Sequence, residues 1–308
     1  MSISITPKTL ASNLAKIRKS SGVSAVFEPG KYPLASPIEI QGSNASVSAA
    51  SGRPKTVANG KVVTHFSIGK SARNAAVRDL EFDSDDPAGQ WPYGFQIGGN
   101  GVEVSNVKMN HVHYAFDLLD AAKNVVILDC HNSISGSVWN YFCYAKGRNI
   151  TLRNCLAGRP LSGFLRTNQC VGLNIFDCES FGGESDGAAS FRIGRVLLQS
   201  VADVTIYNLK IHRSFLGTGP LFDINGWNQR KSDADFFSRR TAHVKADAVL
   251  IDGGGWIEIG YGSEDVRINT VGPTPPIKFP VLKTSLPSNV AAKLPPPKDI
   301  WINGKKLR

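Results

Sequence analysis

The side chains of this sequence that could do chemistry are a scattered set of carboxylates, cations and aromatics. Asp117, Asp186 and Asp223 are the candidate catalytic carboxylates, and Arg192 is the candidate catalytic cation. His113, Trp139, Tyr144, Lys146, Arg166 and Trp227 are candidates to hold a substrate. Two reactions on a sugar polymer suit such a set. A lyase neutralises a uronate carboxylate with a cation and removes the neighbouring proton with a Lys, Arg, His or Tyr base. A glycoside hydrolase needs two carboxyl groups flanking the bond. A guanidinium such as that of Arg192 pairs with a carboxylate bidentately. Trp91, Tyr93, Trp139, Tyr144 and Trp227 offer faces on which sugar rings stack, or bodies that pack under loops.

Plainer readings stand beside these. Arg192 with Asp223 reads equally as a surface ion pair, worth little to stability. His111 and His113 read as a turn, since no third metal ligand accompanies them. Asp83-Ser84-Asp85-Asp86 could bind Ca²⁺ through its oxygens, but an acidic turn is the simpler account. The sequence therefore predicts no metal and no cofactor, with Ca²⁺ the only weak candidate.

Composition sets limits. The chain has 308 residues, 35 basic and 25 acidic side chains and a formal charge of +10. A basic surface attracts polyanions, and an acidic polysaccharide is the predicted partner. Long basic runs are absent, and Lys16-Ile17-Arg18-Lys19 fits the polar face of a helix, so nucleic acid is not expected. No apolar run approaches the length of a membrane span. The first residues, Met1-Ser2-Ile3-Ser4-Ile5-Thr6, do not read as a signal peptide. The 5 cysteines form no CxxC pair, which argues against zinc and redox motifs.

These residues need a scaffold, and a repeat supplies it. The pattern apolar, x, apolar, x, Asn or Asp, apolar begins at Ala75, Val102, Val125, Ile150, Leu173 and Val204, in steps of 27, 23, 25, 23 and 31 residues. A late copy begins at Val266. A second row keeps time with it: Phe95-Gln96-Ile97, Phe116-Asp117-Leu118, Tyr141-Phe142-Cys143, Phe164-Leu165-Arg166, Phe191-Arg192-Ile193 and Phe222-Asp223-Ile224. Two alternating strands per repeat fit stacked coils of short strands, each completing the core of its neighbour. Asp79, Asn106, Asp129, Asn154, Asp177 and Asn208 then share one register, where a short polar side chain tolerates the left-handed bend between strands. Cys130, Cys155 and Cys178 follow that column in place of Leu or Val, as small core residues. In the second row the middle residue faces out. The predicted outward column is therefore Gln96, Asp117, Phe142, Leu165, Arg192 and Asp223, which sets Arg192 beside Asp223.

The ends complete the reading. Thr6-Pro7 looks like a helix start, and Leu10, Leu14 and Ile17 follow at helical spacing up to Gly22, predicting a capping helix over about residues 6–22. Ala25-Val26-Phe27-Glu28-Pro29-Gly30-Lys31-Tyr32-Pro33-Leu34 leads into Pro37-Ile38-Glu39-Ile40. Beyond 271, prolines at 273, 275, 276, 280, 287 and 295–297 predict an extended tail packed on the solenoid.

A cap helix, a strand, Pro-Gly-x-Tyr and an apolar strand, followed by an Asn/Asp column, resemble the pectate-lyase-like superfamily over roughly residues 5–271. The resemblance implies an all-β fold, a right-handed parallel β-helix over 1–271 with a Pro-rich tail over 272–308. It also implies a groove along the outer face in which lyase or hydrolase chemistry acts on an acidic polysaccharide. The alternative it leaves open is a non-catalytic binding or structural module of the phage-tailspike or adhesin kind, and the resemblance implies an extracellular or virion-associated protein, monomeric or homotrimeric. Neither the Asp-Asp plus Gly-His-Gly set of polygalacturonases nor the acidic Ca²⁺ cluster and downstream Arg of pectate lyases is found, so no residue role is carried over from those enzymes.

Overall fold

In the computed structural model the chain winds into a right-handed parallel β-helix. The residues described are 1–59, 61–85, 91–133, 141–158, 163–181, 196–212, 219–226, 240–280 and 295–308. Among the predicted site residues, Asp186, Arg192, Trp139 and Trp227 lie outside these, as does Asp86.

Three faces run the length of the solenoid. The first stacks Ile38–Ile40, Thr64–Ile68, Tyr93–Ile97 and Phe116–Leu118 in parallel register. It continues through the start of Tyr141–Arg153 and Gly163–Phe181 into Val196–Gln199, Pro220–Asn225, Trp256–Ile259 and Ile277–Lys278. The second face begins with Ser2–Ile5 on Ser24–Phe27 and includes the recurring apolar pattern. The third starts at Lys31–Leu34 and Lys55–Ala58.

Inward residues build one continuous core. Phe66, Phe95 and Phe116 are fully buried and stack at 5.5 and 5.2 Å between ring centroids. Burying each such side chain contributes about 1.5–3 kcal/mol. The three-cysteine column lies in this core, and all five cysteines are buried free thiols.

At the bend after the second face, Asp79, Asn106, Asp129, Asn154, Asp177 and Asn208 all take positive φ, between 51° and 62°. Asp and Asn alternate up the column. Asn106 Nδ2 donates to Asp79 Oδ1 at 2.7 Å, Asn154 to Asp129 at 2.5 Å and Asn208 to Asp177 at 2.8 Å. Alternation gives each of these carboxylates an amide donor and keeps carboxylates from stacking on one another. A second ladder, unread in the sequence, marks the opposite bend: Asn74 donates to Asn44, Asn124 to Asn100 and Asn149 to Asn124.

A helix closes the first end, as expected with shifted limits, whereas past residue 271 the described chain adds rungs to the solenoid where an extended tail was expected. The helix spans Leu10–Lys19, and Thr6 O accepts from both Thr9 N and Leu10 N in the turn before it. Its buried Leu10 and Ile17 cover the first coils. Tyr32 of the Pro-Gly-x-Tyr segment is fully buried, its hydroxyl 2.8 Å from Ile5 O and 2.6 Å from Glu28 O. Past residue 271, Ile277–Lys278 adds a rung to the first face and Lys298–Ile302 one to the second, with Ile300 fully buried. Lys305–Lys306 folds back antiparallel on that last strand and covers its open edge.

Candidate active site

The outward column of the first face differs from the sequence expectation midway along. Register places Gln96, Asp117, Tyr144, Arg166, Leu197, Asp223, Glu258 and Lys278 on successive rungs. Phe142 and Leu165, expected outside, are fully buried. The register sets Leu197 and Glu258 on either side of Asp223 in this column; Arg192, expected there, lies outside the described residues.

The physical reason lies at the corner where the first face begins. Two consecutive residues point inward there: Ala115 and Phe116, Phe142 and Cys143, Phe164 and Leu165, all fully buried. A Cβ on Gly94 would meet Met109 Sδ at 2.7 Å, which shows the same inward direction at the earlier position. In the early coils the small residue comes first and the phenylalanine second. In the next two coils the phenylalanine comes first, and at Leu221-Phe222 it is second again. An aromatic anchor therefore shifts by one residue between coils, and a shift of one flips every side chain to the other face.

The correction brings Tyr144 and Arg166 onto the outer face between Asp117 and Asp223. Asn168 Nδ2 donates to the Tyr144 hydroxyl at 2.9 Å. Two cations flank the Tyr144 ring, Lys146 Nζ at 4.9 Å and Arg166 Cζ at 5.5 Å from its centroid. Two residues beyond the central column on each strand lie Lys146, Asn168, Gln199 and Asn225, where Gln199 Nε2 donates to Asn225 Oδ1 at 3.3 Å. Three residues before it lie Tyr93, Tyr114 and Tyr141, whose rings follow one another at 5.4 and 6.4 Å. His113 stands edge-on to Tyr93 and Tyr114.

Burial sets the electrostatics of this face. The Asp117 carboxyl is pushed up by desolvation, partly opposed by the Gln96 amide at 3.3 Å and by Lys146. The Asp223 carboxyl is pushed up to about 7, first by burial and then by Glu258 on the next rung; the Asn225 amide at 2.8 Å opposes both. Glu258 accepts from Trp256 Nε1 at 3.0 Å, and Lys278 Nζ sits 3.5 Å from the Trp256 ring centroid. Desolvation lowers the His113 imidazole, which favours its neutral form, and raises the Tyr114 phenol to about 12.

Of the described candidates, Asp117, Tyr144, Lys146, Arg166 and His113 gather at one place. Asp223 lies further along the same column and is 7% exposed, not the open surface group expected. Glu258, Asn168 and Asn225 were missed. The alternation Trp256-Ile257-Glu258-Ile259 repeats that of Phe222-Asp223-Ile224 and was the available signal for Glu258. Elsewhere Asp83 is held by Lys55 at 2.7 Å and His111 at 2.7 Å. Among the described residues no three metal-ligating side chains converge.

No family model and no curated protein matches the chain. Solved structures do. An alginate lyase from Paenibacillus sp. str. FPU-7 superposes with a TM-score of 0.56 at 12% identity, over 90% of this chain and 97% of that one. The catalytic domain of a GH87 alpha-1,3-glucanase gives 0.45 at 14% identity, over 91% of this chain and 54% of that one. A mannuronic acid specific family 6 polysaccharide lyase from human gut microbiota gives 0.40 at 12% identity, over 90% and 82%. At such identities the likeness to the first of these shows the fold alone: this chain is a parallel β-helix.

Proposed function

We propose that this protein is a polysaccharide lyase that cleaves an acidic polysaccharide by β-elimination on the outer face of its first sheet. The observation that carries the reading is the setting of Tyr144, its hydroxyl held by Asn168 and its ring flanked by Lys146 and Arg166. β-Elimination needs the uronate carboxylate neutralised so that the adjacent ring proton can leave. Arg166 and Lys146 meet that carboxylate, the guanidinium with two parallel hydrogen bonds. Tyr144 is the proton-transfer group, since Asn168 fixes its hydroxyl and both cations that would meet the carboxylate stand against its ring. As the ring proton passes to Tyr144 and the glycosidic C–O bond breaks, the half-buried carboxyl of Asp117, one rung away, which retains its proton to higher pH than an ordinary aspartate, donates it to the departing oxygen. The fold shared with a lyase is consistent with this but does not carry it.

The experiment is a panel of polyuronates assayed for the absorbance of unsaturated uronate ends and, in parallel, for new reducing ends. Unsaturated product from wild type, lost in Tyr144→Phe, supports the reading. New reducing ends without unsaturation would move the chemistry to Asp223 and Glu258, carboxylates on adjacent rungs at a spacing of about 4.8 Å, which suits hydrolysis. Binding without either product would leave a non-catalytic module.

A further inference from the structure

The central outward column of the first face runs along the solenoid axis, so an extended polymer lying on it meets its charges in rung order. That order is not uniformly basic. Asp117 comes first, then Tyr144 with Lys146 beside it, then Arg166, Leu197, Asp223, Glu258 and Lys278. Among the described residues of this face, positive charge is concentrated on the Tyr144 and Arg166 rungs. Asp117 stands one rung to one side. Asp223 and Glu258 stand two and three rungs to the other, about 10 and 14 Å from Arg166 at a rung spacing of about 4.8 Å. Lys278, the next cation along this column among the described residues, is already engaged with the Trp256 ring.

We propose that the subsites flanking the Tyr144–Arg166 rungs accept uncharged sugars, so that the substrate is a polymer in which a uronate is flanked by neutral residues, not a run of uronates. This rests on the lyase reading above and adds the charge pattern of the polymer. A uronate bound at Arg166 finds two cations. A second uronate placed toward Asp223 and Glu258 meets a carboxyl pair largely removed from water, and once Asp223 is ionised, above about pH 7, like charges there repel strongly because little water screens them. A neutral sugar there offers hydroxyls that donate to the same carboxylates. Trp256 Nε1 already holds Glu258 in place for that contact. The discrimination is therefore built from repulsion of the wrong polymer as well as attraction of the right one.

The test compares a homopolyuronate with a polymer alternating uronate and neutral hexose, of equal length. Formation of unsaturated ends and binding by calorimetry are both measured. Wild type is expected to favour the alternating polymer by at least about tenfold, and Glu258→Gln to narrow that preference at least about threefold by admitting the homopolymer. Added salt should narrow it too, because screening weakens charge repulsion. A wild type that binds or cleaves the homopolyuronate as well as the alternating polymer overturns the proposal. Absence of unsaturated product from both polymers overturns the lyase reading alone, because the two binding constants still decide the charge pattern.

Discussion

Asp117 and Asp223 share one outward column of the first face with Tyr144, Arg166 and Leu197 between them. Four rungs at about 4.8 Å set their strands about 19 Å apart. Paired carboxylates that cleave a glycosidic bond lie about 5–9.5 Å apart. The two aspartates therefore cannot act as one pair. They bracket a centre made by Tyr144, Lys146 and Arg166.

Tyr144→Phe removes the hydroxyl that Asn168 holds and keeps the ring between its cations. Turnover should fall by about 10²–10⁴-fold, the usual loss of a positioned proton-transfer group, while polymer binding changes little. Arg166→Ala should instead raise KM for an acidic polymer and flatten its salt dependence. Steady-state kinetics on both variants separate the two roles; equal effects of both on KM would sink the assignment.

Asp223 makes stability depend on pH. Its folded-state carboxyl titrates near 7, well above the ordinary 3.8, because of burial first and Glu258 second. Between those values the folded chain holds a proton that the unfolded chain has lost. The stability linked to that proton is fully present below about pH 4 and is lost as pH rises through 7, a few kcal/mol in all. Asp223→Asn should raise the melting temperature at pH 8 more than at pH 5. A pH-independent difference between variant and wild type would show that Asp223 titrates normally.

Asn154→Leu tests the ladder. The change deletes the 2.5 Å donation to Asp129 and puts a branched side chain at φ 51°. A hydrogen bond to a charged group and left-handed strain together cost about 2–4 kcal/mol. Thermal unfolding should begin several degrees lower, with the strand signature in circular dichroism retained below the transition. An unshifted transition would show that the column is decorative.

The cysteines should be inert in the native state. Burial pushes the Cys130 and Cys170 thiols up to about 12 and the Cys143 and Cys155 thiols well above their ordinary value. Thiolate is the reactive form, so a colorimetric thiol reagent should label none of the 5 at neutral pH and all of them in denaturant. Fast labelling of the folded protein would contradict the stacked core.

The sequence by itself determined the coil. The Asp79-to-Asn208 column marks where each turn bends, because few side chains accept positive φ, and the apolar spacing between those bends sets the strands. The same local logic revealed the entry helix. Tertiary structure decided which residue of each first-face strand looks outward. Alternation within a strand is fixed by the pleat, but its phase after a corner depends on how the corner packs. Two inward residues in succession, Phe142 with Cys143 and Phe164 with Leu165, turn Tyr144 and Arg166 outward. Asp223 and Glu258 meet for a related reason. They are 35 positions apart in the chain, and only the stacking of coils makes them neighbours on adjacent rungs, where burial and shared charge change what a carboxyl group does.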